Sequence, residues 1–162
     1  MLVPDDAELY ELAKQSVKYF LNEHKWLATA ESCTGGWLGK VLTDVAGSSA
    51  WYDRGFITYT NQAKHDLLDV GSELLAEFGA VSEETAMAMA QGALENSLAD
   101  HAIAITGIAG PAGGTEEKPV GLVWFAWAER KNSSIRAESV TFEGDREAIR
   151  RQAVRFALKN IV

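Results

Sequence analysis

A single cysteine, Cys33, occurs in the 162 residues, so no internal disulfide can form and no C-x-x-C pair exists to hold a metal. The three histidines fit no H-E-x-x-H spacing, and no metal is expected. No apolar run approaches the ~20 residues that a membrane-spanning helix needs. The first eleven residues are acidic and lack the charged-then-apolar order of a secretion signal. A disulfide-stapled secreted scaffold and a membrane protein are therefore both excluded as expectations, and the cytoplasm is the expected location. Positive charge is the scarcer sign, with 15 Lys and Arg against 23 Asp and Glu and a net charge of −8. Such a surface repels polyanions, so nucleic acid is not an expected partner. A small anion can still be held where a few Arg, Lys or backbone N–H groups reverse the local potential.

What is present describes one globular domain over residues 1–162, with 47% hydrophobic and 23% charged residues. Leu9, Leu12, Ala13, Ser16, Val17, Phe20 and Leu21 recur at helical spacing behind Pro4-Asp5-Asp6, which predicts an amphipathic opening helix. Trp26 to Ala30 reads as a short buried strand, followed by a tight turn at Glu31 to Gly36 and a helix over Trp37 to Val45. Trp51 to Thr60 is rich in aromatic and β-branched residues, as a strand is, and alternation puts most of Trp51, Tyr52, Phe56 and Tyr59 in the core. A short helix starts at Asn61, and Ser82-Glu83-Glu84 caps another that runs to about Leu98. His101 to Thr106 is a further strand that runs into the glycine-dense loop Gly107 to Gly114. Val120 to Glu129 and Ile135 to Phe142 pair as antiparallel strands, and Gly144-Asp145 caps a basic final helix. Helices and strands mixed in this order predict an α/β domain of three layers, α/β/α, around a mixed central sheet.

In open α/β sheets ligands collect beyond the carboxyl ends of strands. Three loops qualify: Glu31 to Gly36, Thr60 to Lys64 and Thr106 to Gly114. Ser32, between strand and helix, fits either a helix cap or an exposed nucleophile beside backbone N–H groups. Cys33 is the rival nucleophile, with no basic neighbour in sequence to lower its pKa. Lys64 stands in the first turn of a helix, where the dipole opposes its charge; partly buried, it would serve as a base, and exposed it is a solvated lysine. Arg146 suits a phosphate or carboxylate, whereas Arg150, Arg151 and Arg155 read as solvated helix-face residues.

Together these stretches carry a resemblance. Ala30-Glu31-Ser32-Cys33-Thr34-Gly35-Gly36, Gly47-Ser48-Ser49-Ala50, Gly55 through Lys64, Gly79-Ala80-Val81-Ser82, Thr106-Gly107-Ile108-Ala109-Gly110-Pro111 with Gly113-Gly114, Lys118-Pro119-Val120-Gly121 and Gly144-Asp145-Arg146 appear in that order. The sequence resembles the CinA C-terminal domain family, and particularly its stand-alone nicotinamide-nucleotide amidohydrolases. The resemblance implies hydrolysis of the carboxamide of nicotinamide mononucleotide, without a cofactor. It puts the nucleophile on Ser32 and the base on Lys64, with Tyr59 in support. Substrate contacts are expected from Glu31, Thr34, Gly35, Gly36, Asn61, Thr106, Gly107, Gly110 and Arg146, with Glu31 facing the pyridinium charge. The nucleotide-hydrolysing domain of two-domain CinA proteins is expected to be lacking. A homo-oligomer is expected, with Trp51, Trp124 or Trp127 at its contacts. The competing class is a non-catalytic ligand-sensing or protein-interaction module, because the broader family is associated with competence and DNA-damage responses.

Overall fold

The computed structural model describes residues 2–161. Six helices and five strands follow in the order α1 (Asp6–Asn22), β1 (Leu27–Glu31), α2 (Trp37–Thr43), β2 (Tyr52–Ile57), α3 (Asn61–Leu68), α4 (Ser72–Phe78), α5 (Glu83–Glu95), β3 (His101–Gly107), β4 (Leu122–Glu129), β5 (Ser134–Thr141) and α6 (Arg146–Lys159). A single 3-10 turn, Ser48–Ala50, precedes β2. The sheet runs β2-β1-β3-β4-β5. β1 is parallel to β2 and β3, and β4 is antiparallel to both of its neighbours. No helix among the described residues is long and apolar enough to cross a membrane.

The two faces of the sheet are built from residues of different size. Alternation along β1, β3 and β4 sends Ala28, Ala30, Ala102, Ala104, Ala126 and Ala128 to one side, where they meet Ala86, Met89, Ala90 and Ala93 of α5. Small residues on both surfaces bring helix and sheet close together. The other side carries Leu27, Ile103, Ile105, Val123, Phe125 and Trp127 against Leu9, Phe20, Leu38, Ile149, Val154 and Leu158 of α1, α2 and α6. A fully buried residue such as Phe20 contributes about 1.5–3 kcal/mol by leaving water. The result is a three-layer α/β/α fold around a mixed sheet.

Several details depart from the sequence expectations. Leu21 closes the apolar stripe of α1 yet is 44% exposed, whereas Phe20 beside it in the same turn is fully buried, so Leu21 stands at the rim of the buried face. β2 is an edge strand and spans fewer residues than the aromatic run; Trp51, just before it, is fully buried, whereas Tyr59, just beyond it, is 57% exposed. Trp51 stacks on Phe20, and Trp127 stacks on Phe125, so both are internal rather than contact surfaces. The α6 arginines are not simply solvated either. Arg151 pairs with Asp6 and Glu147, and Arg155 is buried with a hydrogen bond to Leu2 O.

Candidate active site

Three parallel strands, β2, β1 and β3, end side by side, and the residues that follow or close them meet at one edge of the sheet. β1 pairs Glu31 with Ile57 of β2 and with Ile105 of β3. Just beyond this register the Thr58 N–H donates to Glu31 O at 2.8 Å, and the Ser32 N–H donates to Ile105 O at 2.9 Å. Ser32, Thr58 and Thr106 are thereby set next to one another by sheet pairing alone.

The turn after β1 is organised by Glu31. Its side chain points back under α2, accepting hydrogen bonds from the Thr34 hydroxyl at 2.7 Å, Leu38 N–H at 2.9 Å and Gly39 N–H at 3.0 Å. α2 has no side-chain cap at Gly36, which sits at φ 95°, so this buried carboxylate satisfies amides of the helix start instead. Burial pushes the Glu31 pKa up, and the hydrogen bonds pull against that shift.

Lys64 comes from α3, whose start is capped by the Thr60 hydroxyl accepting from Ala63 N–H at 3.0 Å. One turn in, the side chain is fully buried, and Nζ lies 3.0 Å from Ser32 Oγ and 2.7 Å from Thr58 O. Burial lowers its pKa from 10.5 to about 8. The opposite happens at Cys33, where burial and then the charge of Glu31 push the thiol up to about 12. At this turn the amine approaches neutrality near physiological pH and the thiol does not ionise.

Ser32 and Lys64 open on a cleft of about 260 Å³ with Cys33, Tyr59, Ala80, Val81, Thr106, Gly107, Gly110 and Arg146 in its walls. That is close to the lower end of the usual range of small-molecule sites, roughly 300–1,000 Å³. Arg146 begins α6 and spans the cleft mouth, donating to Gly110 O and to the Tyr59 hydroxyl, both at 2.7 Å. Thr106 is buried and donates to Ala80 O at 2.7 Å. A nucleophile and a base within hydrogen-bond reach, in a cleft rimmed by an arginine, form an arrangement suited to acyl transfer.

The other expected contact residues lie elsewhere. Glu31 and Thr34 are buried against each other and do not line this cleft, so Glu31 has no free face for a substrate cation. Gly35 and Gly36 open with Trp37 on a separate cleft of about 400 Å³ behind the turn. There Arg151 is tied to Asp6 and Glu147, and Lys40 to Asp44, and no nucleophile and base are paired. Asn61 faces a groove on α3 and α4. Ala80, Val81 and the Thr58 carbonyl lie in stretches that carry the family resemblance but have no expected site role, since an apolar pair and a backbone oxygen carry no chemical signature.

Residues 9–162 match the CinA C-terminal domain family. The chain belongs to that family. It is 51% identical over 156 residues to nicotinamide-nucleotide amidohydrolase PncC of Escherichia coli K12, covering 96% of this chain and 94% of that protein. It is also 45% identical over 158 residues to a CinA-like protein of Akkermansia muciniphila, covering 98% of this chain but 36% of the longer relative. Among solved structures, a competence/damage inducible protein of Agrobacterium tumefaciens superposes with a TM-score of 0.91 at 49% identity, covering 98% of this chain and 95% of that one.

Proposed function

We propose that the chain hydrolyses the carboxamide of nicotinamide mononucleotide, giving nicotinic acid mononucleotide and ammonia, with Ser32 as nucleophile and Lys64 as general base. The observation that carries this reading is the 3.0 Å contact between a hydroxyl and a buried amine whose pKa is lowered to about 8. The 51% identity to an amidohydrolase of nicotinamide nucleotides supports the choice of substrate.

With a pKa of about 8, about one Lys64 in ten is neutral at pH 7, enough to accept a proton from the Ser32 hydroxyl. Ser32 Oγ bonds to the amide carbon, and the carbonyl electrons move onto oxygen. As the C–N bond breaks, the Lys64 ammonium returns its proton to the leaving nitrogen, and ammonia departs from a serine ester. Water then loses a proton to Lys64, attacks the ester carbon and frees the carboxylate and Ser32. The pyridinium ring of the nucleotide withdraws electrons from the amide carbon, an aid that neutral nicotinamide lacks. Arg146 holds two neighbours across the cleft mouth and retains further N–H groups for the substrate phosphate. Tyr59 fixes that guanidinium, and Gly107 and Gly110 let the chain approach the ligand.

The test is ammonia release from nicotinamide mononucleotide, nicotinamide riboside and nicotinamide by the purified protein. The mononucleotide should be turned over fastest. Binding without ammonia release would favour a ligand-sensing module over an enzyme.

A further inference from the structure

Arg150 is a cation at the nucleophile turn for which the reaction above has no use. It projects from α6 against the back of the turn, where Nε donates to Cys33 O at 3.0 Å and Nη2 donates to Thr34 O at 3.2 Å. Its guanidinium lies 5.2 Å from the centroid of Trp37. It lines the cleft behind the turn and not the catalytic cleft, so it does not reach the substrate.

We propose that Arg150 is a positioning residue for the reaction, holding the Cys33 N–H as the donor that receives the carbonyl oxygen in the tetrahedral intermediate. The inference rests on the amide-hydrolysis reading. Of the N–H groups in this turn, that of Ser32 is taken by Ile105 O and that of Gly35 by Ser32 O, at 3.0 Å. The Cys33 and Thr34 N–H groups make no hydrogen bond to another residue among the described residues; of the two, only Cys33 is in the wall of the catalytic cleft, directly after the nucleophile, and Thr34 lines the cleft behind the turn. An N–H in that place is the usual oxyanion donor of a strand-to-helix nucleophile turn.

Arg150 reaches this donor from both sides. It grips the residue's own carbonyl through Nε. Through Nη2 it grips Thr34 O, and the same peptide group ends in the Gly35 N–H that binds Ser32 O. Ser32 O in turn belongs to the peptide whose far end is the Cys33 N–H. Two peptide groups are thus joined head to tail between a permanent cation and the free donor, each polarising the next in the same sense. A flip of the Ser32–Cys33 peptide would turn the donor away, and a flip of the Thr34–Gly35 peptide would remove the Gly35 N–H that holds Ser32 O. The fork of a guanidinium can hold two carbonyls of consecutive residues at once, and a lysine ammonium cannot match that planar geometry. Gly35 completes the brace with φ +60°, and a Cβ there would stand 3.4 Å from Nη2.

The experiment compares wild type, Arg150→Gln and Arg150→Lys in steady-state deamidation of nicotinamide mononucleotide across pH, and in amide hydrogen exchange at Gly35 without substrate. In Arg150→Gln the value of kcat should fall about tenfold to a hundredfold, somewhat less than loss of a whole oxyanion donor, while KM stays within about threefold. The pH limb near 8 should stay in place, because Arg150 does not contribute to the Lys64 shift. Gly35 exchange should speed up. Arg150→Lys, which keeps the charge but loses the planar fork, should recover only part of kcat, and it decides the matter should the Gln variant not fold. A kcat within twofold of wild type, a loss carried by KM, or a moved pH limb would overturn the role of Arg150. Absence of turnover in wild type would instead remove the amidase reading, and unchanged Gly35 exchange would remove the brace independently of any substrate.

Discussion

The carbonyl oxygen of Thr58 accepts a hydrogen bond from Lys64 Nζ at 2.7 Å, shorter than the 3.0 Å contact of the same nitrogen with Ser32 Oγ. A neutral amine has two N–H groups and one lone pair. With one N–H committed to Thr58, the lone pair is free to turn towards the Ser32 hydroxyl. A backbone carbonyl is far too weak a base to take the serine proton, so Thr58 O can orient the amine without replacing it as the proposed base.

The pH dependence follows from the depressed pKa. With Lys64 as the proposed general base the deprotonated amine is the working form, and kcat/KM should then rise about tenfold per unit below pH 8 and level off above it. Initial rates of ammonia release between pH 6 and 10 measure this. A rate that falls across pH 8 would mean that the ammonium is the active form.

The same burial costs stability. Below pH 8 the folded protein holds a charged amine at a penalty, and the unfolded chain releases its proton only near 10.5. Unfolded chains therefore bind more protons between about 8 and 10.5, and stability rises with pH through that window, by about 3 kcal/mol for a shift of this size. Lys64→Met removes the group. Urea unfolding should show the variant gaining on wild type at pH 7, with the difference shrinking by about that amount by pH 10, while ammonia release is abolished.

Cys33 should be a bystander as a thiol. Held neutral by a pKa near 12, it has roughly one thiolate in ten thousand at pH 8. Iodoacetamide should leave ammonia release unchanged over the course of an assay, and Cys33→Ala should keep activity within several-fold of wild type. Stoichiometric inactivation by the reagent would reverse the assignment of nucleophile.

Much of this was legible in the sequence. The short apolar runs of β1 and β3, the Ser82 cap and the apolar stripe of α1 all report local geometry, which a local pattern encodes directly. So did the loops that carry Ser32 and Lys64. The burial of Lys64 was not legible, because it depends on α3 packing against α5, far along the chain, and on the sheet order. Glu31 misled for a related reason. In sequence it is a carboxylate beside a nucleophile, and only the path of α2 shows it turned inward to amides seven and eight residues away.

That inward role can be separated from a substrate role. Glu31→Gln replaces one acceptor oxygen with a donor facing an N–H group, which should destabilise the fold by about 1–3 kcal/mol. KM for the nucleotide should change little. A large rise in KM with an unchanged melting temperature would restore Glu31 to the substrate.

Gly92 offers a remote handle on the same site. A Cβ there would overlap Leu68 O, where α5 crosses the end of the helix bearing Lys64. Gly92→Ala should lower stability by about 1–3 kcal/mol and reduce kcat by displacing α3. Calorimetry and steady-state rates on one preparation test both effects.

The central claim is that a buried amine makes one hydroxyl attack an amide. Its most direct measurement is ammonia release from nicotinamide mononucleotide by wild type, Ser32→Ala and Lys64→Arg at pH 8, with folding of each confirmed by circular dichroism. Turnover in wild type with at least about a thousandfold loss in both folded variants is the predicted result, since neither alanine nor a permanently charged guanidinium can replace its partner. Wild-type rates in either variant would contradict it.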